Sequence, residues 1–127
     1  MKHLFCLSLI LCGYFAVAQH TRNVDAATFK KLLDEKKSAL IDLRTNDEIA
    51  RKGMIKNARQ IDFFGKDAEK QISALNRDST YLIYCAGGGR SGECAALMES
   101  MGFKHVVNLE KGFDDWKLKG YDVVKRP

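Results

Sequence analysis

One segment, residues 81–98, indicates how the chain is organised, and it reads YLIYCAGGGRSGECAALM. Its first four residues favour a β-strand, glycines follow the cysteine, and a run rich in alanine and leucine at helical spacing comes last. This order predicts a strand, a tight loop and a helix, with Cys85 at the carboxyl end of the strand. Open α/β sheets bind their ligands at that edge.

The residues after Cys85 give it surroundings that suit a reactive thiol. The glycines at 87–89 let the chain curl until successive backbone N–H groups face one point. A helix starting near Ser91 adds the positive end of its dipole, which stabilises the nucleophilic thiolate. Arg90 adds a planar guanidinium suited to an oxyanion. We therefore predict that Cys85 is a nucleophile that exchanges a group with a small anionic substrate.

Residues 1–18 have the features of a cleaved export signal. A short basic head precedes an apolar run at residues 4–11, and an A-x-A cleavage pattern ends at Ala18. We expect cleavage there and an exported, periplasmic mature chain. A retained membrane anchor is the alternative, but the apolar run is short compared with the roughly 20 residues that a bilayer span needs. We expect no stable membrane span after cleavage.

The mature chain, residues 19–127, is long enough for one domain with its own core. Its lysines and arginines are spread along the sequence, which favours an ordinary solvated surface over a nucleic-acid partner. Only Cys85 and Cys94 remain after cleavage, and their spacing, with no histidine nearby, is poor for zinc. We expect no metal and no organic cofactor.

Predicted helices and short apolar strands alternate along the mature chain. Asp25 is suited to cap the first helix, and Thr45 with Glu48 forms a capping-box pattern for the second, which Gly53 ends. Short apolar strands separated by helices predict a parallel sheet covered on both faces. The strands are expected at 39–41, 58–61, 81–84 and 105–109, and the further helices at 66–75, 91–101 and 111–119.

The chain resembles the single-domain rhodaneses, a sulfurtransferase family, in four segments that occur in the right order and at the right intervals. The resemblance covers nearly the whole mature chain and implies a central five-stranded parallel sheet flanked by helices on both faces. The matching residues are Leu40 to Arg44 (LIDLR), Glu48, Gly53 to Ile55, Ala58, the Cys85 loop, Leu109 to Phe113 (LEKGF), Trp116 and Gly120.

The resemblance also implies a function. Cys85 matches the catalytic cysteine, which carries a persulfide, and Ala86, Gly87, Gly88, Gly89 and Arg90 match the rest of a six-residue loop whose amides hold the outer sulfur. The implied partners are a small-molecule sulfane-sulfur donor, such as thiosulfate or a persulfide, and a thiol or cyanide-like acceptor. A thiol-redox protein is a further possible partner. Arginine is often found at the position of Ala86 in the members that use thiosulfate.

Three other residues have two interpretations each. Asp42 and Arg44 close a strand, so they should lie at the same edge as Cys85. They either contact the loop or the substrate, or pair to brace neighbouring loops, which we favour. Cys94 is either a resolving thiol for Cys85 or a small core residue, and we favour the second interpretation.

No histidine is placed to act as a base for Cys85. Activation of the Cys85 thiol is therefore expected from the loop amides, the helix end and Arg90.

Two other enzyme classes fit the loop less well. Its glycines match the dinucleotide pattern G-x-G-x-x-G, but only 17 residues follow the candidate ribose-binding Glu110, too few for the second half of that fold. Cysteine phosphatases of the related dual-specificity type place one residue more between cysteine and arginine than the four found between Cys85 and Arg90. The alternative that stays open is a non-enzymatic module of the same fold, either binding a persulfide or anion or acting in thiol redox chemistry.

Overall fold

The computed structural model describes residues 20–127, so the expected leader at 1–18 lies outside the described residues. Five strands and five helices alternate along this part of the chain. The strands are β1 (Thr21–Val24), β2 (Ala39–Asp42), β3 (Arg59–Gln60), β4 (Thr80–Tyr84) and β5 (His105–Leu109). The helices are α1 (Ala26–Asp34), α2 (Asn46–Lys52), α3 (Ala68–Ser73), α4 (Gly89–Ser100) and α5 (Gly112–Leu118).

The five strands form one parallel sheet in the order β1-β5-β4-β2-β3. The expected five-stranded parallel sheet is therefore confirmed. Strand β4 lies at its centre, and Asp42 of β2 is in register with Tyr84 of β4. Because both strands end at this level, the loops that follow Asp42 and Tyr84 leave the sheet side by side.

Helices cover both faces of the sheet. Alternate residues of each strand point to opposite faces, so each strand contributes to two separate cores. On one face Ile83 packs with the apolar side chains of α3 and α4, including Ile72 and Met98. On the other face Leu82 packs with α1 and α5, where Phe29 and Trp116 are buried. Cys85 follows the alternation and belongs to the face that α3 and α4 cover.

The local signals in the sequence predicted the starts of α1 and α2 correctly. The Asp25 side chain accepts a hydrogen bond from the Thr28 amide, and Thr45 with Glu48 forms the complete capping box at the start of α2. The helix expected at 66–75 is shorter, and α4 begins at Gly89, two residues earlier than expected. The sequence pattern did not predict strand β1. Only one of its four residues, Val24, is buried, so it lacks the apolar run of the other strands. Within residues 20–127, no helix has both the length and the apolar character needed to cross a membrane.

Candidate active site

The loop between β4 and α4 wraps around the sulfur atom of Cys85. The Gly88 amide donates to Sγ at 3.1 Å, the Ser91 amide donates at 3.4 Å, and the Ser91 hydroxyl lies 3.3 Å from Sγ. Gly88 has φ of +100°, which favours glycine and turns the chain towards the sulfur. The predicted cradle of backbone amides is present, although the side chain of Cys85 is also 1% exposed and touches the core.

This cradle changes the acidity of the thiol. Burial of Cys85 raises the pKa of the thiol, but the Ser91 hydroxyl and the amides of Ser91, Gly88 and Gly87 together lower the pKa by more. The net pKa of Cys85 therefore lies below its ordinary value. Since the thiolate is the nucleophilic form, this arrangement activates the sulfur without a histidine.

The start of α5 holds the loop in this shape from outside. The Phe113 amide donates to the Cys85 carbonyl at 2.8 Å, and the Asp114 amide donates to the Ala86 carbonyl at 3.1 Å. Gly112 makes this close approach possible, because a Cβ there would lie 2.3 Å from the Ala86 oxygen. The Cys85 and Ala86 carbonyls therefore bond to α5, away from the sulfur. The LEKGF motif at residues 109–113 identified this segment in the sequence, but it did not predict that the segment contacts the Cys85 loop.

Arg90 has a partner that the sequence analysis did not assign to it. Its Nη1 and Nη2 atoms donate to the two carboxylate oxygens of Glu48 at 2.8 and 2.7 Å. The guanidinium also lies 4.7 Å from the centre of the Phe64 ring, a side chain that is 70% exposed. The hydrogen bonds from Arg90, together with those at the Thr45 cap, lower the pKa of Glu48 to about 2 against the opposing effect of burial.

Asp42 and Arg44 form a second arginine–carboxylate pair, and both are fully buried at 0% exposure. Arg44 donates through Nε at 3.0 Å and through Nη2 at 2.7 Å to the two oxygens of Asp42. The Tyr84 hydroxyl donates to Asp42 at 2.6 Å, and Arg44 Nη2 also reaches the Gly53 carbonyl at 2.8 Å. This geometry matches the bracing interpretation, because buried side chains that bond to each other are not available to a substrate.

Cys94 lies in α4 and is 1% exposed. Burial, followed by the nearby charge of Cys85, raises the pKa of the Cys94 thiol to about 12. Both cysteines of the described chain are free. A thiol of this kind stays protonated at neutral pH and is a poor nucleophile, which favours the core interpretation over a resolving role.

Within residues 20–127, no three histidine, cysteine, aspartate or glutamate side chains are grouped to hold a metal ion. Two surface grooves, of about 290 and 860 Å³, lie towards the amino ends of the strands, where Thr80 lines the first and Ala39 the second. Neither groove is lined by residues of the Cys85 loop.

Comparison with known proteins agrees with this geometry. Residues 25–119 match the family model of the rhodanese-like domain. The chain belongs to the rhodanese-like family. YtwF of Bacillus subtilis (strain 168), named as a candidate sulfurtransferase, is 33% identical over 92 residues, which are 72% of this rhodanese-like chain and 85% of YtwF.

Two further relatives support the assignment. The thiosulfate sulfurtransferase GlpE of Pseudomonas fluorescens (strain SBW25) is 29% identical over 85 residues, 67% of this chain and 75% of GlpE. The crystal structure of a rhodanese-related protein from Thermoplasma volcanium has a TM-score of 0.72 at 28% identity, covering 83% of this chain and 99% of that chain. Sulfurtransferases among its relatives support sulfur transfer as the general role of this rhodanese-like domain.

Proposed function

We propose that this protein is an exported sulfurtransferase that carries a sulfane sulfur on Cys85. The observation that carries the proposal is the Cys85 sulfur in its ring of donors from Gly88 and Ser91, with a lowered thiol pKa. The donor is a small anion, either thiosulfate-like or a persulfide, and the acceptor is a thiol or a cyanide-like nucleophile.

The reaction consists of two nucleophilic displacements at a sulfur atom. The Cys85 thiolate attacks the outer sulfur of the donor, the S–S bond of the donor breaks, and its remaining part leaves with the bonding electron pair. Thiosulfate would leave as sulfite, and an organic persulfide as a thiolate. An acceptor thiolate then attacks the outer sulfur of the Cys85 persulfide and regenerates the Cys85 thiolate, so no net oxidant or reductant is needed.

The loop suits both states of Cys85. Backbone amides cost little to reorganise because they are already held in place, and they stabilise whichever sulfur carries the negative charge. The Ser91 hydroxyl can rotate to donate to that sulfur. No proton has to be delivered to the leaving group, since sulfite and thiolates are stable anions. This is consistent with a site that has no histidine next to Cys85.

The decisive experiment follows sulfur on Cys85 by mass spectrometry. The purified protein is treated with thiosulfate or with an organic persulfide, and the peptide containing Cys85 is expected to gain about 32 Da, one sulfur atom. Cys85→Ser should gain nothing and should lose thiosulfate:cyanide transfer. Cys94→Ala is the matched control and should still take up sulfur on Cys85.

Two results would contradict the proposal. Equal transfer by the wild type and Cys85→Ser would remove Cys85 from the reaction. Loss of both free thiols, with no added sulfur, would indicate a disulfide between Cys85 and Cys94 and therefore a redox module.

Export is tested separately by expressing the full chain and sequencing the N-terminus of the periplasmic product, which is expected to begin at Gln19.

A further inference from the structure

The two arginines at the catalytic edge of the sheet are both neutralised by carboxylates. Arg44 is bound to Asp42 through two hydrogen bonds in the interior. Arg90, which ends the Cys85 loop, is bound to Glu48 through both Nη atoms. Neither guanidinium therefore offers its paired donor fork to a substrate anion, and the positive potential at Cys85 comes mainly from backbone amides and the start of α4.

Other charges close to Arg90 reinforce this balance. Its hydrogen bonds to Glu48 raise the pKa of Arg90, and the charges of Cys85 and Asp62 contribute in the same direction. The Asp62 side chain is itself held in place, because it accepts the Phe64 amide at 2.9 Å. The neighbours that act on the one arginine of the loop are thus negative, and the Phe64 ring covers part of its face.

This balance affects the two donor classes differently. Thiosulfate is a dianion, so its attack by the Cys85 thiolate brings three negative charges together, and these require uncompensated cations nearby. An organic persulfide, R–S–SH, carries at most one negative charge on its two sulfur atoms, so its attack by the Cys85 thiolate brings fewer charges together. Water screens the repulsion between close charges less at a partly buried site than in bulk solution, so the difference in charge is large enough to select a donor.

We propose that Glu48, by holding Arg90 in a neutral pair, makes this site selective for organic persulfides over thiosulfate. This inference rests on the proposed function, and it makes Glu48 a positioning residue that sets donor specificity. The transfer is balanced: the Cys85 thiolate attacks the outer sulfur of R–S–SH, the S–S bond of the donor breaks, and R–S⁻ leaves. The product is a Cys85 persulfide that retains the donor's proton. The exposed Phe64 ring beside the pair provides an apolar contact for the organic group R.

Glu48→Gln tests the inference with little effect on the fold. Glutamine also serves at the third position of a capping box, so its amide oxygen can still accept the Thr45 amide. The charge of Arg90 then loses the carboxylate that is hydrogen-bonded to it. The ratio of kcat/KM for thiosulfate to kcat/KM for cysteine persulfide should rise about tenfold, which corresponds to one close charge interaction. This gain should shrink as salt is added, because salt screens a charge near the surface.

Two further variants show whether the effect passes through Arg90. The double variant E48Q/R90Q removes both charges together and should return the ratio to the wild-type value. Asp47→Asn makes the same change in net charge on the neighbouring exposed residue of α2, which has no hydrogen bond to Arg90, and should leave the ratio unchanged.

The outcomes separate this inference from the proposed function. If the wild type forms a Cys85 persulfide from neither donor, the proposed function is wrong and the inference falls with it. If the wild type forms the persulfide but prefers thiosulfate, sulfur transfer stands and the inference is overturned. An unchanged ratio in Glu48→Gln, or a raised ratio that persists in E48Q/R90Q, would also overturn it.

Discussion

At the scale of single residues, the Ser91 hydroxyl adjusts to the charge of Cys85. Its oxygen lies 3.3 Å from the Cys85 sulfur and 3.2 Å from the Gly88 carbonyl, to which it can donate. When Cys85 is a thiol, S–H can donate to the Ser91 oxygen while the hydroxyl donates to Gly88. When Cys85 is a thiolate, the hydroxyl can turn and donate to sulfur. Ser91 is fully buried, so water cannot easily replace it.

Removing this hydroxyl should make the thiol less acidic. In Ser91→Ala the thiolate loses the largest of the interactions that lower the Cys85 pKa, while the burial that raises it remains. A hydrogen bond to a charged group contributes about 1.5–3 kcal/mol, so the pKa of the Cys85 thiol should rise clearly. The rate of alkylation by iodoacetamide, followed against pH, should show its midpoint moved upwards and a lower rate at pH 7.

Ser100→Ala is the control for this prediction. Ser100 lies on the same helix α4, is exposed, and bonds only to the Leu97 carbonyl among the described contacts. Its substitution should leave the midpoint of the alkylation profile where it is in the wild type. If Ser91→Ala also leaves the midpoint unchanged, the backbone amides alone set the acidity of Cys85.

At the scale of secondary-structure elements, the β5–α5 connection shapes the Cys85 loop. Its residues approach so closely that glycine is required on both sides of the contact. A Cβ on Gly88 would lie 1.9 Å from the Glu110 oxygen, and a Cβ on Gly112 would lie 2.3 Å from the Ala86 oxygen. Both glycines also have positive φ, of +100° and +71°. The loop therefore depends on an element that is distant in sequence.

Gly112→Ala should disturb the fold and the site together. Alanine at positive φ costs about 1–2 kcal/mol, and the contact with the Ala86 backbone cannot be relieved by turning a side chain. We expect a total loss of stability above about 3 kcal/mol and slower persulfide formation by the protein that remains folded. Urea unfolding measures the first effect, and mass spectrometry of Cys85 measures the second.

Gly102→Ala separates the two causes. Gly102 also has positive φ, of +89°, but a Cβ there would meet no atom within 4 Å. It ends α4 at the opposite end of that helix from the loop. This variant should lose about 1 kcal/mol from backbone conformation alone and keep its rate of sulfur uptake. Equal losses of stability in the two variants would show that the contact with Ala86 is not what requires glycine at 112.

The sequence alone predicted the parts of this architecture that depend on neighbouring residues. The apolar β4, the glycines after Cys85 and the Thr45–Glu48 cap are each readable within a few residues. Strand β1 is mostly exposed and produces no strong local pattern, whereas the strand expected at 58–61 is present as β3, shortened to two residues. The Glu48–Arg90 pair joins residues 42 positions apart and depends on how β2 and β4 align. Such contacts arise from the register of the sheet, which local patterns do not specify.

At the scale of the whole molecule, the buried Asp42–Arg44 pair joins segments that are far apart in sequence. Tyr84, at the end of the central strand, donates to Asp42 and accepts the Ile55 amide at 3.0 Å. Arg44 reaches the Gly53 carbonyl at the end of α2 and lies 3.9 Å from the centre of the Phe113 ring in α5. One cluster around this ion pair thus connects β2, β4, α2 and α5 close to the edge of the sheet from which the Cys85 loop leaves, and we expect it to help hold that loop in position.

Breaking this cluster on one side should cost far more than removing both charges. Arg44→Met leaves the Asp42 carboxylate buried without its cation, and a buried ion pair broken in this way typically costs about 3–5 kcal/mol. Asp42→Asn leaves the Arg44 charge uncompensated in the same way. The double variant D42N/R44M buries no net charge, so its loss of unfolding free energy should be well below the sum of the two single losses. Urea unfolding of all four proteins measures this coupling.

The control uses an ion pair at the surface of the same molecule. Lys30 and Asp34 lie one turn apart on α1 with side chains 39% and 61% exposed, so water solvates both charges before and after the change. Lys30→Met should therefore leave the urea midpoint unchanged. If the losses from Asp42→Asn and Arg44→Met simply add, the two side chains act independently. The catalytic edge would then be held by the Tyr84 hydroxyl and apolar packing, and the Cys85 loop should keep its reactivity in the double variant.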